Sequence, residues 1–159
     1  EYPDLNPLFT FAVPGYNMRG TELNAVLGLE QMNRIDYNIE KRVENLECWL
    51  ENLNSETFFV DYRVDGNSSF ALPLILLEKD KALLQKVCDI LETEGVEYRL
   101  GTAGGGNQAR QPYLEKYNYR ICGALDNANH IHDYGLYLGN HPELTKQQIT
   151  ALCERINNV

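Results

Sequence analysis

Two short stretches carry side chains whose types and spacing suit the holding of an anion. The first is "PGYNMRGTE", Pro14 to Glu22. Pro14 and Gly15 break any regular element, Asn17 brings an amide, Arg19 brings a guanidinium, and Thr21 stands where a helix N-cap belongs. A helix start presents unpaired N–H groups and the positive end of the backbone dipole, so neutral and charged donors just ahead of it suit a phosphate. On spacing alone the simpler reading, an ordinary loop and cap, stands first, because such caps precede many helices.

The second stretch is "GTAGGGNQARQPYL", Gly101 to Leu114. Gly104, Gly105 and Gly106 surrender backbone order that only a tight turn or close ligand approach repays. Asn107, Gln108, Arg110 and Gln111 follow as amide and guanidinium donors with no obvious internal partner, able to bind phosphate or sugar hydroxyls. A flexible, solvated surface loop is the competing reading. Neither a GxGxxG nor a Walker pattern is present.

His130, His132 and His141 raise a metal or acid/base reading, which is weak. If 126–134 is helical, the first two face different ways, so satisfied or surface histidines and no metal site are expected. Cys48, Cys88, Cys122 and Cys153 form no CxxC pair, and three of them fall in helical patterns as small hydrophobes. Tyr16, Tyr98 and Tyr113 lie near the two stretches, where they can contact a sugar or base or simply pack with a wet tip.

The elements that must position these groups follow from periodicity. Met32, Ile35, Ile39, Val43, Leu46, Leu50 and Leu53 step by three or four, and the weak helix formers Asn33 and Asp36 divide the pattern into helices over 21–34 and 36–53. Traced backwards, the stripe meets Gly28 and Ala25, small residues that permit close backbone approach. Phe58 to Val60 reads as a short strand and Asp65 to Ser69 as a polar turn. Phe70 to Leu77 reads as a central strand covered on both sides, with Pro73 arguing for an irregularity or an edge.

Asp80 to Glu94 predicts an amphipathic helix, with Leu83, Val87, Ile90 and Leu91 inward and Gly95 just past its end. Val96, Tyr98 and Leu100 alternate with Glu97 and Arg99, a strand that turns Arg99 away from the core. Asp126 to Tyr134 predicts a short helix and Gly135 to Leu138 a last strand. Thr145 and Gln148 form a capping-box pair opening a final helix lined by Ile149, Leu152, Cys153 and Ile156. The order α-α-β-β-α-β-α-β-α implies an α/β fold, a small mixed sheet flanked by helices.

Composition sets outer limits. The 159 residues fit one domain, short for a complete cofactor enzyme, and the start at Glu1 suggests a piece of something larger. With 14 basic against 23 acidic residues, net charge −9, no basic face for a nucleic acid is expected. No apolar run approaches the roughly 20 residues of a membrane span, so a cytoplasmic protein is expected.

"GYNMRGTELNAVLGLEQMNRID" resembles the segment that opens the C-terminal domain of the DegT/DnrJ/EryC1/StrS family of vitamin B6-dependent sugar aminotransferases and dehydratases, on Gly15, Tyr16, Asn17, Arg19, Thr21, Glu22, Ala25, Gly28 and Gln31. "YRLGTAGGGNQARQPYL" and "YLGNHPELT" resemble the branch that removes the 3-hydroxyl of nucleotide-linked 4-keto-6-deoxysugars, on Arg99, Gly106, Asn107, Arg110, Gln111 and Pro112; the additional glycines depart from that pattern. The resemblance implies the small C-terminal α/β domain of a fold-type I enzyme, with 1–20 as lead and motif loop, 21–159 as the domain, and a larger cofactor domain elsewhere. It implies pyridoxal or pyridoxamine 5'-phosphate, a homodimer, and a nucleotide-linked sugar as substrate, weighted towards CDP-linked 4-keto-6-deoxyglucose. Asn17 and Arg19 would serve the cofactor phosphate, and Arg19, Arg99, Asn107, Arg110 and Gln111 the substrate. No catalytic base falls in these residues, so the isolated chain is expected to be inactive. A sugar aminotransferase of the same family and a non-enzymatic ligand-binding or dimerisation module remain the alternatives.

Overall fold

In a computed structural model of the chain, the residues described are 20–63, 70–101, 106–111, 114 and 116–159. The chain divides into two compact units, Glu1–Ile35 and Asp36–Val159. In the first, helix α1 spans Glu22–Met32, and its N-cap Thr21 accepts the Asn24 N–H through its hydroxyl at 3.2 Å. That is the cap foreseen from sequence. No α1 residue is buried, and Leu23, Val26, Leu27, Leu29 and Met32 are all exposed. Asn33 and Arg34 form a turn, and α2 then runs Ile35–Asn52, so the predicted division into two helices holds.

In the second unit, α2, β1 (Ala71–Ile75), α3 (Lys81–Thr93), β2 (Tyr98–Leu100), a 3₁₀ turn (Gln108–Arg110), α4 (Asp126–Tyr134), β3 (Gly135–Gly139) and α5 (Lys146–Asn157) follow in order. The sheet order is β1-β3-β2, and where a mixed sheet was expected both ladders are antiparallel. Phe58 makes one isolated bridge to Leu76 instead of the predicted strand over 58–60. Its ring is fully buried, which is why the apolar run read as a strand. The predicted turn at 65–69 lies outside the described residues.

β1 corrects one expectation. Among the described residues it lies at the edge of the three-stranded sheet, the position Pro73 argued for, and not at its centre; one face is buried, with Leu72 and Leu74 facing inward while Ala71, Pro73 and Ile75 are half-buried. Pro73 has no N–H to give a ladder, and an edge is where that costs least. The central place goes to β3, whose Leu136 and Leu138 are buried. Against this leucine face pack Leu46, Trp49 and Leu53 of α2 and its end, Leu84, Val87, Cys88 and Leu91 of α3, and Ile149, Cys153 and Ile156 of α5. The three helical cysteines behave as small hydrophobes, and burial pushes the Cys153 thiol up to about 12.

The stripe predicted on α2 is rotated in the structure. Trp49, absent from that stripe, is fully buried and donates its indole N–H to the Pro73 carbonyl at 2.7 Å, tying α2 to the edge strand. Asn45, also buried, donates to Asn140 Oδ1 and to the His141 carbonyl, both at 3.0 Å. Asn140 donates in turn to the Arg42 carbonyl at 2.8 Å. A polar lock therefore joins α2 to the segment that leads into α5. The capping box of α5 is formed in both directions, Thr145 Oγ1 accepting from Gln148 N and Gln148 Oε1 from Thr145 N.

α4 passes into β3 without an intervening residue, since the helix ends at Tyr134 and the strand begins at Gly135. A Cβ at Gly135 would stand 2.6 Å from the Ile131 carbonyl oxygen, so the reversal needs glycine for closeness of approach. We expect Gly135→Ala to destabilise the fold by about 1–3 kcal/mol, the range for overpacking against unyielding backbone, read from denaturant unfolding midpoints. Asp80 caps α3 by accepting the Ala82 and Leu83 N–H groups at 2.8 and 2.9 Å. Asp80→Ala should therefore cost about 0.5–2 kcal/mol and Asp80→Asn much less, measured the same way.

Candidate functional site

The donor segment 106–111 is seated on one face of α4. Asn107 is the first anchor: its backbone N–H donates to His132 Nδ1 at 3.1 Å, and its amide donates to Asn129 Oδ1 at 2.8 Å. Its side-chain oxygen accepts from the Ala109 N–H at 3.0 Å, and its carbonyl accepts from the Arg110 N–H at 3.1 Å. These bonds build the 3₁₀ turn Gln108–Arg110, of which Asn107 is the cap. With Asn107 only 5% exposed, the cap sits inside the structure.

Arg110, the last residue of the turn, is the second anchor. Its Nη1 donates to Asp133 Oδ2 at 3.1 Å, and Lys81 Nζ stands 3.7 Å from the other carboxylate oxygen of the same aspartate. The Arg110 hydrogen bond holds the Asp133 carboxyl below its ordinary value, against a smaller opposing desolvation, and the charges of Arg110 and Lys81 add to the effect. The pair is therefore lost at a lower pH than that at which an unpaired aspartate takes up its proton. One Arg110 nitrogen is engaged by Asp133 and 44% of the side chain remains exposed, which leaves other guanidinium N–H groups open to solvent.

This seating corrects the expectation that the loop donors lack internal partners, since Asn107 and Arg110 both have them. The partners Asn129, His132 and Asp133 were not singled out from sequence for this role. Their signal was available: on a helix, positions 129, 132 and 133 stand at i, i+3 and i+4, one polar face. Close approach is required here too. A Cβ on Gly101 would strike the Ile131 carbonyl, and one on Gly106 would strike His132 Nδ1 and the Gly101 carbonyl. Gly104, Gly105, Pro112 and Tyr113 lie outside the described residues, and Gln111 contributes its N–H to the Gln108 carbonyl.

Arg99 is placed differently. It stands on β2 opposite Tyr137 of β3, which in turn faces Pro73 of β1, on the sheet face away from the helices. The side chain is exposed, as its strand position predicted, and pairs loosely with Glu97 at 3.8 Å. It lines a cleft of about 600 Å³ with Phe70, Tyr137, Asn140 and His141, to which no residue of 106–111 contributes. Arg99 and Arg110 are thus not brought into one pocket. Asn17 and Arg19 lie outside the described residues.

The histidines separate as the helical spacing implied. His130 Nε2 lies 2.6 Å from the Leu76 carbonyl and its ring is 5.1 Å from that of Tyr134, while His132 faces Asn107. His141 Nδ1 accepts from the Glu143 N–H at 3.3 Å. Among the described residues no three His, Cys, Asp or Glu side chains cluster as a metal site, and no helix is long and apolar enough to cross a membrane.

A GDP-4-keto-6-deoxy-D-mannose 3-dehydratase of Yersinia pseudotuberculosis is 30% identical over 145 residues, covering 91% of this chain and 37% of the relative. A GDP-perosamine synthase of Escherichia coli O157:H7 is 28% identical over 149 residues, covering 91% and 38%. Among solved structures, the E. coli GDP-4-keto-6-deoxy-D-mannose-3-dehydratase with bound hydrated PLP superposes with a TM-score of 0.79 at 25% identity, over 94% of this chain and 38% of that one. The chain thus spans less than two fifths of the length of these relatives. The profile of the DegT/DnrJ/EryC1/StrS aminotransferase family matches residues 6–157, and the chain belongs to that family.

Proposed function

We propose that this chain is the C-terminal domain of a pyridoxal or pyridoxamine phosphate-dependent enzyme that removes the 3-hydroxyl of a nucleotide-linked 4-keto-6-deoxysugar, in the making of deoxysugars for cell-surface polysaccharide. The observation that carries the reading is Arg110, fixed by one nitrogen on Asp133 and otherwise exposed, in a fold that superposes on a 3-dehydratase over 94% of the chain. In this reading 1–20 is the motif loop, 21–159 is the small domain, and the cofactor domain and catalytic base lie in sequence outside this chain. The enzyme works as a cytoplasmic homodimer. The relatives' names carry GDP, so GDP-4-keto-6-deoxy-D-mannose replaces a CDP-sugar as the substrate proposed.

The donor chemistry fits the cofactor's phosphate, because an amide and a guanidinium, Asn17 and Arg19, precede the capped N-terminus of α1. When bound, the cofactor supplies an electron sink for carbanion chemistry on the sugar. The residues of this chain bind and orient. Asn17 and Arg19 hold phosphate; Arg19, Arg99, Arg110 and Gln111 meet the nucleotide-sugar, and Asn107 reaches it through the turn it caps. Amino transfer is the second reading, favoured by the match to the perosamine synthase.

The whole protein carrying this chain, given GDP-4-keto-6-deoxy-D-mannose, pyridoxal phosphate and L-glutamate, should yield a nucleotide sugar lacking the 3-hydroxyl by mass spectrometry. A 4-amino product would establish amino transfer instead, and failure to bind both the nucleotide sugar and pyridoxal phosphate would leave a non-enzymatic module. The isolated 159 residues should show no turnover. Asn17→Ala and Arg19→Ala should each weaken cofactor or substrate binding by roughly tenfold or more, since a hydrogen bond to a charged group is worth about 1.5–3 kcal/mol. Arg110→Lys should raise the apparent substrate constant about tenfold and leave cofactor affinity alone, because an ammonium cannot hold Asp133 and phosphate through one planar fork. Unchanged constants in all three variants would remove these residues from the site.

A further inference from the structure

We infer that His132 is a positioning residue for substrate binding: as an acceptor on α4, it sets the turn that carries Arg110. The inference rests on the proposed function for what Arg110 binds, and on the geometry alone for how Arg110 is held. His132 Nδ1 receives the Asn107 N–H at 3.1 Å, so that nitrogen is unprotonated and the ring proton sits on Nε2. Asn107 is nearly excluded from water, which means that no solvent molecule replaces this acceptor cheaply.

That bond holds the start of the turn that carries Arg110. Asn107 caps the 3₁₀ turn through Ala109 and Arg110, and the turn delivers the guanidinium to Asp133, one residue beyond His132 on the same helical face. Asn129 secures the Asn107 amide from one turn earlier. Two points on the loop three residues apart, Asn107 and Arg110, are thus matched to three residues of one helix, Asn129, His132 and Asp133. The helix itself is tied down separately, by His130 at the Leu76 carbonyl and by Lys81 donating to the Asp133 carbonyl at 3.0 Å. Gly106 lies against His132 so closely that a side chain there would displace the ring. Loss of the acceptor frees the turn while α4 stays in place, and the guanidinium is then presented over many orientations instead of one.

The test uses the whole protein with two substitutions. His132→Phe keeps a flat ring and removes the acceptor; His132→Asn offers an amide oxygen near the position of Nδ1. Amide hydrogen exchange over Asn107–Gln111 should quicken about tenfold in His132→Phe and return to within about threefold of the parent in His132→Asn, with the α4 and β3 amides unchanged. With GDP-4-keto-6-deoxy-D-mannose, the apparent KM should rise about five- to tenfold in His132→Phe with kcat within about twofold, and the rise should be reversed in His132→Asn. Unchanged exchange in His132→Phe overturns the inference. So does a KM that stays at the parent value in His132→Phe while Arg110→Lys raises it. A KM indifferent to Arg110→Lys removes the substrate role of the segment, and the positioning role with it. The exchange measurement, which needs no substrate, tells that failure of the proposed function apart from a failure of the anchor.

Discussion

The direct passage from α4 into β3 constrains the rest of this structure. With no residue between Tyr134 and Gly135, the direction of the helix is set by the central strand, and the central strand is set by ladders on both sides. A connecting loop would have let α4 drift. Instead its last turn lies against Gly135, its His130 reaches the Leu76 carbonyl at the end of the edge strand, and Lys81 at the start of α3 holds the Asp133 carbonyl. The surface on which the donor segment rests is thus tied to the sheet and to α3. That is the condition for a binding group to be presented in one orientation.

The sheet's own rigidity comes from a single leucine face and a few polar ties that select its packing. Leu72, Leu74, Leu136 and Leu138 supply burial, which is favourable but indifferent to register and angle. Direction is added by Trp49 on the Pro73 carbonyl and by the Asn45, Asn140 and Arg42 contacts. Each of these places a buried donor that would be costly to leave unpaired, so alternatives in which α2 slides or rolls are penalised. The opposite sheet face carries the exposed Arg99, opposite Tyr137 in the ladder.

Electrostatically the chain is acidic, with 23 carboxylates against 14 basic side chains, and the donor segment is arranged accordingly. Arg110 is held by one carboxylate that Lys81 also approaches, so the charge of Asp133 is shared between two cations and does not fully cancel the guanidinium. Such an arrangement orients a cation without consuming it. Surface pairs of this kind contribute little to stability in themselves. Their effect here is geometric.

The sequence by itself determined where α1, α3 and α5 begin, because caps are local chemistry: Thr21, Asp80 and the Thr145–Gln148 pair each satisfy N–H groups within three residues. It also determined the family resemblance through Asn17, Arg19 and the Asn107 to Gln111 run, and it placed Arg99 on an outward face by alternation alone. Only the tertiary structure decided that Phe70 to Leu77 is an edge and not a centre, since an apolar run reports burial and not which neighbour supplies it. The same holds for Trp49, whose partner lies 24 positions away, and for Asn107, whose partners lie 22 and 25 positions away. The polar face 129, 132, 133 was visible as spacing, but spacing names a face and not what it meets. Hydrogen bonds between distant segments exist only once a fold has brought them within about 3 Å, and no local pattern encodes that distance.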